Sequence, residues 1–136
     1  MWPWFDAIAA RDAAYIARVR DFKGLKAWAK AHALLLNVHR ALRRFPRKYS
    51  SLSTQIRRAT ESVPGNIVEG CGRLSQREFA SYLQHSISSS NEVEYWLLVA
   101  RDYGALSQRE WSTLTNDTIE VRKIVTGLIK KLREGT

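Results

Sequence analysis

Apolar residues recur along most of the chain at alternating steps of three and four, the period of a helix buried on one face. From Phe22 to Phe45, Leu25, Trp28, His32, Leu35, His39 and Leu42 mark one stripe, widened by Leu34, Leu36, Val38 and Phe45. Pro46 pushes Phe45 toward extended backbone, so this first helix ends there. A second stripe, Leu52, Ile56, Ala59, Val63 and Ile67, runs straight past Pro64. It predicts a helix that continues but kinks near Val63, because Pro64 has no N–H for the Thr60 carbonyl. Asn66 is placed to bond the backbone groups freed nearby. A third helix over about 76–103 carries Phe79, Leu83, Ser86, Ser90, Val93, Leu97 and Ala100, and a fourth over about 108–133 carries Trp111, Leu114, Thr118, Val121, Val125, Leu128 and Leu132.

The last two helices announce their own starts. Leu74-Ser75-Gln76-Arg77-Glu78-Phe79 and Leu106-Ser107-Gln108-Arg109-Glu110-Trp111 are the same hexad. In each, serine caps the N3 amide, glutamate reaches back to the cap amide, and the flanking apolar pair staples the entering chain. Gly104 closes the third helix. Four amphipathic helices on short turns make an all-α, up-down four-helix bundle over residues 22–136. Residues 1–21 read as an N-terminal extension with the weak pattern of a short extra helix, in which two readings compete: Trp2 and Trp4 dock on the body or on a neighbouring subunit, or the terminus is frayed. Ser86 and Ser88 to Ser90 let another helix approach closely. Leu36, Trp96, Leu98 and Ile129 lie off the main seams, which implies that a second face is buried by self-association.

Charge divides the chain unevenly. Residues 22–58 hold ten Lys or Arg and no acid, whereas the first 21 residues are neutral and residues 59–136 carry a net −1, so this one region accounts for the chain's +9. A solvated helix face mixes signs, whereas an acid-free run of this length attracts polyanions. The candidate phosphate contacts are Lys26, Lys30, Arg40, Arg43, Arg44, Arg47, Lys48, Arg57 and Arg58, with Tyr49 available for base stacking. Catalysis finds little support. The three histidines lack the Glu-x-x-His pattern of a carboxylate-bridged metal bundle, and His32 and His39 read as packed core residues. Only a convergence of His85, Glu92 and Glu69 in one pocket would make an active site, and Glu92 reads instead as a salt-bridge partner for the basic first helix. Cys71, the one cysteine, has no histidine beside it in sequence; it forms no internal disulfide and fits a reducing cytoplasm. The expectation is a non-enzymatic protein with no metal and no cofactor, and with no membrane span.

Three segments together resemble a known family: FKGLKAWAKAHAL, LSTQIRRATESVPGNIVEGCGRLSQREF and SSSNEVEYWLLVA. They look like the bacterial four-helix-bundle proteins that include those encoded by intervening sequences of large-subunit ribosomal RNA genes. The resemblance covers about residues 22–132. Its most specific positions are Gln55, Arg57, Arg58, Pro64, Asn66, Glu69, Gly70 and Arg73, while Arg47 and Lys48 stand where the family often has an acid. The resemblance implies a ring, a homopentamer, with no established catalytic activity. A related bundle, the accessory variability determinant of retroelements, implies a basic pentamer working with a reverse transcriptase and nucleic acid. Two functions follow as expectations. The first is a ring-forming bundle that binds nucleic acid, RNA before DNA, through its basic surface; the alternative is a protein-interaction scaffold, such as an accessory subunit of a reverse transcriptase.

Overall fold

Each apolar stripe needs a partner stripe, and short turns make the next helix in sequence the nearest one available. The computed structural model describes residues 21–134, and within them four helices pack this way: α1 (Lys26–Leu42), α2 (Ser50–Cys71), α3 (Gln76–Asp102) and α4 (Gln108–Glu134). Sequence neighbours pack together and α1 closes against α4, so that α1 faces α3 diagonally and α2 faces α4. Among the described residues there is no strand. The accessory helix and the docking of Trp2 and Trp4 lie outside the described residues.

Helix boundaries follow local chemistry. Asp21 accepts a bond from the Lys23 amide at 3.1 Å and starts a 3-10 turn over Phe22–Gly24, so α1 proper begins at Lys26. A second 3-10 turn, Arg47–Tyr49, follows Pro46 and leads into α2. Both serine caps form. Ser75 accepts from the Glu78 amide at 3.0 Å, and at α4 the box is reciprocal, with the Glu110 amide donating to Ser107 Oγ at 3.1 Å and the Ser107 amide donating to Glu110 Oε1 at 3.2 Å. The apolar staple is better made at α4, where Leu106 is buried, than at α3, where Leu74 stays half-exposed.

The core confirms three of the four stripes. All seven apolar and small positions expected on α3 are its buried residues, and Leu52, Ile56, Ala59, Val63 and Ile67 of α2 are buried too. On α4 the seam shifts from Leu128 to Ile129 near the end, which puts Ile129 in the monomer core and not on a second face. On α1 the expected phase is wrong. The buried residues are Ala27, Ala31, Leu34, Val38 and Ala41, while His32 is half-exposed, stacked on Trp28 with ring centroids 5.0 Å apart, and His39 is exposed. The alanines explain it: small residues let α1 sit close to its neighbours, and the bulkier Trp28, Leu35 and Leu42 flank the contact.

Helix α2 runs unbroken through buried Pro64. Around that position polar side chains serve the backbone, with Asn66 Nδ2 donating to the Ser62 carbonyl at 2.8 Å and Ser86 Oγ of α3 donating to the Val63 carbonyl at 2.8 Å. Ser62 and Ser89 hydroxyls meet across the same seam at 2.9 Å. The serine-rich middle of α3 is therefore the place where α2 and α3 approach and are pinned together. Gly70 extends the close approach, since a Cβ there would lie 2.8 Å from Phe79 Cδ1.

Candidate nucleic-acid interface

Antiparallel neighbours put the α2–α3 turn at the opposite end of the bundle from the α1–α2 and α3–α4 turns. The α1–α2 and α3–α4 turns share one end, tied together by the Tyr49 hydroxyl, which donates to the Tyr103 carbonyl at 2.8 Å, and by an ion pair between Arg44 of α1 and Glu110 of α4. Onto this end converge Arg40, Arg43, Arg44, Arg47 and Lys48. Two arginines that the sequence reading did not single out, Arg101 and Arg109, join them from the α3–α4 turn. Arg101 pairs with Asp102 at 3.0 Å, and its guanidinium lies 4.3 Å from the centre of the Trp111 ring. Among the described residues, Arg40, Arg43, Arg47, Lys48 and Arg109 form no ion pair, and all are exposed.

Aromatic rings lie among these cations. Tyr49 and Tyr103 stack with centroids 5.9 Å apart, Lys48 Nζ sits 5.1 Å over the Tyr49 ring, and Tyr103 is more than half exposed. Cations beside flat rings match the two needs of a single strand, phosphate neutralisation and base stacking. Tyr103 carries no charge and sits outside the acid-free run; only the fold reveals it.

The remaining candidates are placed elsewhere. Lys26 lies about 21 Å along α1 from Arg40 by helical rise, at the opposite end, in a groove with Lys130 and Lys131. Lys30 is paired with Glu120 at 3.5 Å. Arg57 lines the α1–α2 groove with Leu36, His39 and Glu61, and Arg58, one residue on, is exposed. The structure thus gathers five of the nine expected cations at one end.

The groups proposed for catalysis do not meet. The Glu92 carboxylate accepts a bond from Trp96 Nε1 at 3.2 Å, Glu69 pairs with Arg73 at 3.4 Å, and the His85 ring meets the edge of Tyr82 at 5.8 Å. Glu92 does not bridge to α1, because α3 is diagonal to it. Cys71 is buried. Among the described residues no group of three His, Cys, Asp or Glu is placed to hold a metal ion, and no helix is long and apolar enough to cross a membrane.

A family model described as 23S rRNA-intervening sequence protein matches residues 23–127. The chain belongs to this family. Of the positions that carry the resemblance to the 23S rRNA-intervening sequence proteins, most are structural here. Pro64, Asn66 and Gly70 build the α2–α3 seam described above, Arg73 spans Glu69 and the Tyr82 ring, while Gln55 and Arg58 face outward or partly so. A solved protein of unknown function from the S23 ribosomal protein family of Bacteroides thetaiotaomicron has the same fold, with a TM-score of 0.72 at 23% identity over 76% of this chain and 95% of that one. No curated protein matches.

Proposed function

We propose that this protein is a non-enzymatic, cytoplasmic, ring-forming bundle that binds nucleic acid, RNA in preference to DNA, at the end built from the α1–α2 and α3–α4 turns. One observation carries the reading: five cations that are exposed and form no ion pair among the described residues lie at the end that holds the stacked Tyr49 and Tyr103. Lys26, Lys30, Arg57 and Arg58 lie off this patch and are assigned supporting contacts at most. Self-assembly, a homopentamer by resemblance, is supported by the outer face of α1, where Leu35, Leu36, His39 and Leu42 line an apolar groove of about 260 Å³ against α2. A ring would repeat the cationic end around one axis and multiply its field. That same apolar groove also favours the second reading, a scaffold for a protein partner such as a reverse transcriptase.

The test is a titration into labelled single-stranded RNA and duplex DNA across a salt series, beside an Arg40→Glu/Arg43→Glu/Arg47→Glu variant. Arg44 is left alone because it holds Glu110. Affinity is expected to fall steeply with salt, with a logarithmic slope of roughly −0.7 per phosphate contact on a single strand. The variant should lose binding while keeping its oligomeric mass. An unaltered affinity in the variant, or no binding by either protein at low salt, leaves the scaffold reading in place.

A further inference from the structure

Lys26 belongs to the acid-free run, yet it stands away from the basic turns, on the rim of a groove of about 420 Å³ between the start of α1 and the end of α4. The floor of this groove is apolar. Leu25 and Ala27 supply it from the α1 side and Ile124 and Leu128 from α4, where both side chains stay only half-buried. Lys26 forms one bank and Lys130 and Lys131 the other. All three are exposed, and among the described residues none forms an ion pair; Glu134 is the one acid among the described lining residues. Gly127, also on the floor, adds a second observation. It lies inside α4, where glycine is the weakest helix former after proline. The missing side chain of Gly70 makes room for Phe79, but a Cβ added at Gly127 meets nothing within 4 Å. The four helices leave the room above Gly127 unused.

We propose that this groove is the docking site for an acidic amphipathic helix of a partner protein. Charge complementarity names the occupant. An apolar channel with ammonium groups on both banks matches a helix whose apolar stripe is flanked on each side by carboxylates, as e and g positions flank an a/d seam. A basic amphipathic helix would be repelled from both banks. Gly127 sets how deeply the helix can sit, since helix axes pack about 8 to 10 Å apart according to the side chains at the contact and a bare glycine permits the near end of that range. The described lining holds no aromatic ring on which a base could stack, which favours a protein over a nucleic acid as the occupant. The groove itself does not depend on the nucleic-acid reading. If both hold, Lys26 and Arg40 are separated by about 21 Å of α1, so a strand at the arginine end and a helix in the groove can be bound at once, and the protein joins a nucleic acid to a second protein.

The probe is a fluorescein-labelled peptide of about three heptads with leucine at a and d and glutamate at e and g. Its controls are the same peptide with lysine in place of glutamate, and an acidic peptide of identical composition in scrambled order. The full chain should bind the patterned acidic peptide roughly tenfold more tightly than either control. Gly127→Leu fills the floor and should weaken that binding about tenfold. Its melting temperature should not fall, because leucine is the better helix former and the position is open. Lys26→Glu/Lys130→Glu/Lys131→Glu should reverse the preference and take the lysine peptide over the acidic one, a result that misfolding cannot produce. At physiological salt, where exposed charges more than about 8 Å apart are largely screened, both variants should behave as wild type toward single-stranded RNA. Equal binding of the patterned and scrambled acidic peptides, or wild-type affinity in Gly127→Leu, reduces the groove to a diffuse positive surface and overturns the proposal. Loss of RNA binding in the lysine variant overturns it by assigning the banks to nucleic acid. A lower oligomeric mass of Gly127→Leu by light scattering overturns it in favour of a second copy of the chain. Absence of binding by the full chain overturns it too, and recovery of binding in a Trp2→Ala/Trp4→Ala variant would then assign the groove to the chain's own first residues.

Discussion

Gly65 and Gly70 stand five residues apart on α2 and should respond to alanine in opposite directions. At Gly65 an added methyl meets nothing within 4 Å. Helix propensity alone then decides, and Gly65→Ala should stabilise the protein by roughly 0.5 to 1 kcal/mol. At Gly70 the methyl would press on Phe79, a ring only 4% exposed and unable to yield. Overpacking of about 1 to 3 kcal/mol should outweigh the propensity gain, so Gly70→Ala should lower the denaturant midpoint. Two acids give a similar contrast in pH. The bond from Arg44 holds the Glu110 carboxyl below its usual range, opposed by partial burial and aided by Ser107. Such a group adds stability that is complete above its unfolded pKa and is lost as the pH falls through the lower folded value. The deficit of Glu110→Gln should therefore be about 0.5 to 1 kcal/mol at neutral pH and low salt, shrinking as the pH drops below roughly 4. Burial, and then Glu120, push the Asp117 carboxyl upward, with Lys30 pulling the other way. Its ionised form is disfavoured in the fold, so Asp117→Asn should stabilise the protein at neutral pH and give no gain in acid below about pH 3.

At the scale of elements, the small residues of α3 decide how closely α2 can lie. Ser86 is buried and bonded to the Val63 carbonyl. Ser86→Ala removes one hydrogen bond and should cost about 1 kcal/mol, whereas Ser86→Val also forces the helices apart and should cost more; urea unfolding of the pair separates the two effects. The seams of α2 and α3 were legible because their apolar and small residues stand out against polar neighbours. The seam of α1 was not. Periodicity weighs Trp28 and Leu35 above Ala27 and Ala31, yet the alanines are buried because a short side chain permits close packing. The drift from Leu128 to Ile129 has a different origin: a strict seven-residue repeat slips by roughly 20° per heptad against a straight helix.

Across the whole molecule, charge counting located the basic region but not its shape. A helix spreads its residues along its length, so Lys26 and Arg40 belong to opposite ends although both lie in one acid-free run. Arg101, Arg109 and Tyr103 reach the basic end from a part of the chain with balanced charge, and nothing in local sequence marks them. The outer face of α1 makes a prediction at this scale too. Leu36 is 41% exposed beside the α1–α2 groove, so under the proposed self-assembly Leu36→Glu should leave helix content intact while lowering the mass measured by light scattering.

Glu134 shares the groove at the Lys26 end, and the α2–α3 turn with Gln76 and Arg77 sits beside Leu132 and Arg133. The described chain therefore begins and finishes on the side away from Tyr49 and Tyr103. A biotin or affinity tag placed at the Glu134 end would hold the molecule on a sensor chip or bead by the side away from Arg43, Arg47 and Lys48.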